Sequence, residues 1–243
     1  MHLVLIFWVV VGLFLVIVGA FSVLFVMAAR LEKLHLNDFI PKASGEPLAD
    51  SPYFNAMNDA AKRLGFTAAG VFIQNLSSRT YRAHVALWVS PDQDILLQIA
   101  GGKTGGVPVQ RTILVSVFSS NQIIQTQDRA AAADLSGFTD QQILIDADLD
   151  ELCSCHRERL ASYVEQKRPF SSETAFSDWE SIRRMRVEEI ARMGLAKFLN
   201  QERTIYRYTL KGAWLQYCKG LLGPLAEAKN QVDRMPKMRP GSS

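Results

Sequence analysis

Two thiols and an imidazole fall within four residues at Cys153-Ser154-Cys155-His156. On a helix Cys153 and His156 share one face at a spacing of three. A thiol beside a base is the minimal kit for a covalent nucleophile, provided its pKa is lowered and a third group orients the base. The same residues are soft-metal ligands, but a structural zinc site takes four ligands, usually as two separated pairs. Only Cys218 and His84 stand elsewhere to complete such a set. The competing role is plainer. Leu149, Leu152, Cys153, His156, Leu160, Tyr163 and Val164 make one apolar helical stripe, on which a core thiol and a hydrogen-bonded imidazole are at home. Cys153, Cys155 and His156 are therefore the candidate catalytic residues, and no metal or cofactor is expected.

Other chemistry-bearing patterns are incomplete. Gly101-Gly102-Lys103-Thr104-Gly105-Gly106 contains the Gly-Lys-Thr of a phosphate-binding loop, yet Leu97 stands where that loop needs its first glycine. Val107-Pro108-Val109 follows where a helix should begin, so a glycine-rich hairpin is expected. Ser116, Ser119 and Ser120 lie outside any Gly-x-Ser-x-Gly elbow. Asp140, Asp146, Asp148, Asp150 and Glu151 lack the spacing of a calcium loop and suit helix capping instead. Ile205-Tyr206-Arg207-Tyr208-Thr209-Leu210-Lys211-Gly212 resembles the last wing strand and following helix start of winged-helix DNA-binding domains. The resemblance covers eight residues, and Tyr208 stands where that phrase has Leu. It implies a nucleic-acid partner for the basic residues nearby, whereas an ordinary strand-to-helix turn needs none.

The strongest pattern is physical. From Leu3 to Ala29 the chain carries no charge, and Ser22 is its most polar side chain. As a helix this run reaches ~40 Å against ~30 Å of hydrocarbon, so a tilted transmembrane anchor over residues 1–30 is expected, with the lipid bilayer as partner. Val18-Gly19-Ala20 would serve as a signal-peptide cleavage site, but no Lys or Arg precedes the run, which continues apolar through Val26. Arg30, Lys33 and Lys42 follow the helix and only Met1 and His2 precede it, which favours an outside N-terminus and a cytoplasmic domain. Three cysteines with no comfortable pairing suit a reducing compartment.

The rest of the 243 residues has the composition of a globular domain, with 48% hydrophobic and 21% charged residues, which excludes a disordered or collagen-like chain. Residues 31–51 read as a juxtamembrane linker. Ser51 as N-cap, Pro52 and Gly65 bracket a helix with apolar positions Tyr53, Phe54, Met57, Ala60, Ala61 and Leu64. Alternating segments follow at Phe66–Gln74, Tyr81–Val89, Asp94–Ala100, Arg111–Phe118, Ile123–Thr126 and Gln142–Asp146, giving an antiparallel meander of five or six strands in a module over 52–147. Arg82 and His84 alternate with Tyr81, Ala83 and Val85, so one sheet face should be partly wet. Residues 148–234 read as a basic helical region packed on it. Its helices are expected over 149–164 and from Asp178 to Asn200, with a short strand over Thr204–Leu210, a last helix stopping at Gly223-Pro224, and a disordered tail over 235–243.

Charge follows this division. Residues 30–152 carry 10 Lys plus Arg against 14 Asp plus Glu, and residues 153–243 carry 17 against 10. Arg183, Arg184, Arg186 and Arg192, with Arg234, Lys237 and Arg239, could face anionic lipid headgroups or a protein partner, or simply be a solvated helix face. The fold class is thus α+β: a transmembrane helix, a helix, a meander and a helical C-terminal region. The expected function is a membrane-anchored, non-enzymatic binding or scaffold module. A membrane-surface enzyme using Cys153, Cys155 and His156, and a membrane-bound DNA-binding regulator, are the alternatives.

Overall fold

The uncharged run lies within one 30-residue helix, α1 (His2–Leu31), in a computed structural model that describes residues 2–36, 38–42, 51–75, 81–104, 107–129 and 134–219. At 1.5 Å per residue α1 is about 45 Å long. It is long and apolar enough to cross a membrane. Phe21, Leu24 and Leu31 are among the side chains on its length that no protein covers.

The chain is mixed α+β with a mostly antiparallel sheet. The helix α2 (Pro52–Arg63) starts where the cap residues place it: Ser51 Oγ accepts from Phe54 N at 3.3 Å, and Pro52 occupies the first turn. It stops at Gly65, whose φ of +77° only glycine adopts without strain. Seven strands then form one sheet in the order β2-β3-β4-β5-β6-β7-β8. These are β2 (Phe39–Pro41), β3 (Thr67–Asn75), β4 (Tyr81–Val89), β5 (Leu96–Thr104), β6 (Val107–Val117), β7 (Ile123–Gln127) and β8 (Thr139–Ile143). The count exceeds the expected five or six because β2 comes from the segment read as a linker. The last expected strand, over 142–146, lies three residues earlier as β8, and it pairs parallel with β7. A meander cannot make that pairing; the chain leaves the sheet after Gln127 and returns alongside itself.

The half-wet face expected of the strand Tyr81–Val89 is absent over its described residues. Ala83 to Val89 are all buried, because the sheet is a middle layer rather than a wall. On one face Ala86, Trp88, Leu97, Ile99, Leu114 and Ile124 pack against α2 and α3 (Leu149–Ala161). On the other, Val85, Leu87, Val89, Leu96, Val115 and Val117 pack against Trp179 and Ile182 of α4 (Ala175–Arg192). Each fully buried Leu or Ile here contributes roughly 1.5–3 kcal/mol of transfer free energy before the entropy of ordering is set against it.

The expected basic helical region also contains strands. The helix α4 ends at Arg192, not Asn200, since Gly194 takes φ +72° and Leu195 N donates back to Ile190 O at 2.8 Å. Beyond it β9 (Ala196–Phe198), β10 (Ile205–Tyr208) and β1 (Leu34–His35) form a second, three-stranded sheet in the order β1-β10-β9. The segment directly after α1 is therefore a strand of the folded domain. Residues 210–219 are helical. The expected stop at Gly223-Pro224, the tail over 235–243, Arg234, Lys237, Arg239 and residues 37 and 43–50 of the linker lie outside the described residues.

Candidate functional site

The structure separates the thiols from the imidazole in function as well as in surroundings. In α3, Asp148 caps the N-terminus by accepting from Glu151 N at 2.8 Å, which fixes the register of the following turns. Cys153 then points into the core with Leu149, Leu152 and Leu160. Burial pushes its thiol up to about 11, against a smaller lowering from Arg157. Such a thiol is a poor nucleophile at neutral pH. The Cys155 side chain is half-buried and its Sγ donates to Gln142 Oε1 at 3.2 Å.

The imidazole of His156 is fully buried, and both its nitrogens are occupied. Ser116 Oγ spends its one proton on Asp94 O at 2.6 Å, so it accepts from His156 Nε2 at 3.0 Å. Thr126 Oγ1 accepts from Arg159 Nη1 at 2.9 Å and donates to His156 Nδ1 at 2.9 Å. The pattern assigns a neutral imidazole with its proton on Nε2. A second proton on Nδ1 would meet a hydroxyl already oriented as a donor, in an interior where the Asp94 carboxylate compensates only in part. Burial foremost, then the Arg159 charge, lowers the His156 pKa to about 3. This histidine is a cross-brace between α3, β6 and β7; it has no nitrogen left for a metal or for a thiol. Among the described residues no three His, Cys, Asp or Glu side chains form a group that could hold a metal ion.

The other sequence patterns resolve into packing and pairing. Gly101 to Thr104 finish β5, and Thr104 faces Val107 across the hairpin to β6. Gly101 is there because α2 lies on it: a Cβ at that position would stand 2.7 Å from Phe54 Cβ. The acidic residues are distributed, with Asp140 paired to Arg159 at 3.0 Å, Asp146 to Arg129 at 3.5 Å and Asp148 serving as the cap. The phrase likened to a wing is β10, the middle strand between β1 and β9.

The arginines read as one basic face are sorted individually. Arg183 turns inward: Nη2 meets Asp38 Oδ1 at 2.7 Å, Nη1 donates to Leu36 O at 2.9 Å, and the guanidinium lies over the Phe39 ring at 4.6 Å. Asp38 also accepts from Gln74 at 2.9 Å, which links this pair to the large sheet. Arg186 pairs with Asp134 at 3.2 Å and donates to Gln125 Oε1 at 2.8 Å. The side chains of Arg183 and Arg186 are only 19% and 18% exposed. Arg192 is paired with Glu189 on the surface. Neither a solvated stripe nor a phosphate-binding helix face describes Arg183 and Arg186.

Arg183 and the Arg186–Asp134 pair line a cavity of about 170 Å³ between α4, β10, residues 134–135 and Leu36. Its walls are Leu135, Val187 and Ile190, and its polar groups are Asp134, Arg183, Arg186, Tyr206 and Tyr208. Burial pushes the Tyr206 hydroxyl up to about 12 and raises that of Tyr208 further, so both remain neutral donors. The hollow is lined by polar and apolar groups alike, and convergent polar groups of this kind fix a ligand's orientation in a binding site. No thiol, serine or imidazole lines this one. A shallower groove of about 260 Å³ on the other side of Leu36 is lined by Ser177, Glu180, Ser181 and Arg184. Sequence reasoning missed the cavity because its residues come from segments far apart in the chain. The one signal available was the pair of tyrosines in a short basic strand.

Compared with known sequence families, curated proteins and solved structures, the chain matches none.

Proposed function

We propose that this chain is a single-pass, membrane-anchored binding module without enzymatic activity, whose ligand or partner engages the cavity beside the anchor's exit. The observation that carries this is the construction of that exit. Leu34 and His35 pair with Tyr206 and Ile205 within three residues of α1, and Arg183 binds the carbonyls of His35 and Leu36 and the carboxylate of Asp38. A tether that only limits diffusion needs no such fastening. A module that presents one surface at a fixed angle to the bilayer does. The cavity supplies donors and opposed charges but no activated nucleophile or general base, which fits recognition rather than turnover.

The charge bias after α1 and the free thiols of Cys153, Cys155 and Cys218 favour a cytoplasmic domain. Membrane-impermeant maleimide applied to intact cells carrying Val164→Cys, at a fully exposed site, should label only after permeabilisation. Labelling of intact cells would place the domain outside. For the binding role, a photo-crosslinking residue at position 208 of the full-length protein in its own membrane should give a discrete adduct that the same residue at exposed Ile145 does not. Identical patterns at the two positions would overturn the assignment.

A further inference from the structure

A contact between α1 and the rest of the chain lies well inside the apolar run. Tyr217, on the helical stretch 210–219, reaches Ser22 Oγ at 2.5 Å, and its ring lies 5.3 Å from that of Phe25. Ser22 Oγ already donates to Val18 O at 2.8 Å, so the Tyr217 hydroxyl is the donor to Ser22. Ser22 stands eight residues before Arg30, the first charge after the run, which is about 12 Å along the helix axis. Val26, one turn on, is 4% exposed beneath this contact. On the remaining faces of α1 at the same level, Phe21, Val23, Leu24 and Phe25 are more than half exposed and apolar. If α1 spans a bilayer, those side chains are in lipid, and whatever touches Ser22 and Phe25 is at the same depth.

We infer that helix 210–219 is sunk into the headgroup and acyl boundary of the leaflet that α1 enters, with Leu210 and Trp214 covered by lipid. The composition of the stretch suits that position. Leu210 and Trp214 are 55% and 50% exposed, and Trp214 and Tyr217 lie 5.8 Å apart as an interfacial aromatic pair. Lys211 is exposed at one end, with a stem long enough to bring its charge up to an anionic headgroup, while Lys219 at the other end donates to Asp134 O at 3.2 Å. Its inner side is not available to water or lipid: Ala213 is buried and Leu215 packs with Leu135, Ile190 and Leu195. The exposed apolar surface is therefore continuous with that of α1, and Tyr217 meets Ser22 about 12 Å from Arg30, just beyond the roughly 5–10 Å by which interfacial elements are ordinarily buried. In lipid an unpaired hydroxyl is costly, and Ser22 avoids that cost because its hydroxyl donates to Val18 O and accepts from Tyr217.

This inference rests on α1 spanning the bilayer, and tryptophan quenching distinguishes failure of that premise from failure of the inference. Trp88 and Trp179 are buried in the domain, which leaves Trp8 and Trp214 as the tryptophans open to lipid. Full-length protein is reconstituted in phosphatidylcholine vesicles with or without chains brominated near the headgroup. In Trp8→Phe the brominated lipid should quench a large part of the emission, and the quenching should vanish in the double variant Trp8→Phe with Trp214→Phe. Quenching in Trp214→Phe but none in Trp8→Phe would leave the anchor in place and overturn the immersion of helix 210–219. Absence of quenching in every variant, with protein that fails to float with the vesicles, would overturn the spanning premise and the inference with it.

Discussion

The two sheets of this molecule meet their surroundings in opposite ways. The large sheet is closed: its central strands are buried on both faces, and His156 is answered by Ser116 and Thr126, while the Gln98 amide in β5 is buried with no hydrogen-bond partner among the described residues. The small sheet is open: the strand β10 is half-buried throughout, borders a cavity, and is held by ion pairs reaching in from α4. The region with unsaturated surface is the one joined to the anchor, which is why the binding role is placed there and not at the Cys-Cys-His cluster.

The largest effects should come from the closed region. Removing the imidazole with His156→Ala strands the Ser116 and Thr126 hydroxyls in a dry interior and opens a cavity, at a cost of roughly 3–5 kcal/mol to the whole domain. Denaturant unfolding should show one transition at a lower midpoint; an unchanged midpoint would refute the cross-brace. In the open region, Arg183→Ala breaks a mostly buried ion pair and two carbonyl contacts, worth roughly 2–4 kcal/mol locally. Hydrogen exchange should accelerate at residues 34–36 and 205–208 while the amides of β4 to β6 keep their protection. Acceleration throughout would show that the two sheets are not separate units.

How far these contrasts were legible in advance depended on whether the signal was local. The helix α2 follows from Ser51, Pro52 and Gly65 because caps act within a few residues, and α1 follows from a composition that no other element tolerates. The end of α4 was legible too, since Gly194 marks it, but the apolar positions Leu195 and Phe198 continue the helical spacing and masked the stop. The strands β1 and β2 were not legible. At two and three residues they have no periodicity of their own and exist because Tyr206, Gln74 and Arg183 arrive from elsewhere. The burial of both sheet faces was hidden for a similar reason: Ala83, His84 and Ala86 interrupt the larger apolar residues of β4, and only the arrival of α2 above Gly101 of β5 shows why a small residue stands there. The cavity residues share no motif, so nothing short of the fold could assemble them.

Acid should sharpen the contrast. The His156 pKa is about 3 in the folded protein against 6.5 for an unconstrained imidazole. The unfolded chain therefore binds this proton first, so the stabilisation is complete above pH 6.5 and is lost as pH falls toward 3, by at most about 1.4 kcal/mol per pH unit. The slope belonging to this residue is the difference between the wild-type and His156→Asn stability curves. A flat difference over that window would mean that the imidazole is not held neutral. The smallest effect is expected at the anchor contact: Tyr217→Phe removes one hydrogen bond in a lipid-facing setting, about 0.6 kcal/mol, and should leave the fold intact. A loss of several kcal/mol there would mean that the anchor supports the domain rather than being supported by it.

The central claim is that the chain leaving α1 is a strand of the domain and not a free tether. His35 and Ile205 face each other across β1 and β10, within the reach that a disulfide requires. In a background with Cys155→Ser and Cys218→Ser, a double variant His35→Cys with Ile205→Cys is oxidised in native membranes and then cut at a protease site placed within residues 43–50. The fragments should remain joined on a non-reducing gel, at the same extent as the oxidation of the pair. Free fragments after full oxidant treatment, with both thiols still open to maleimide, would contradict the account.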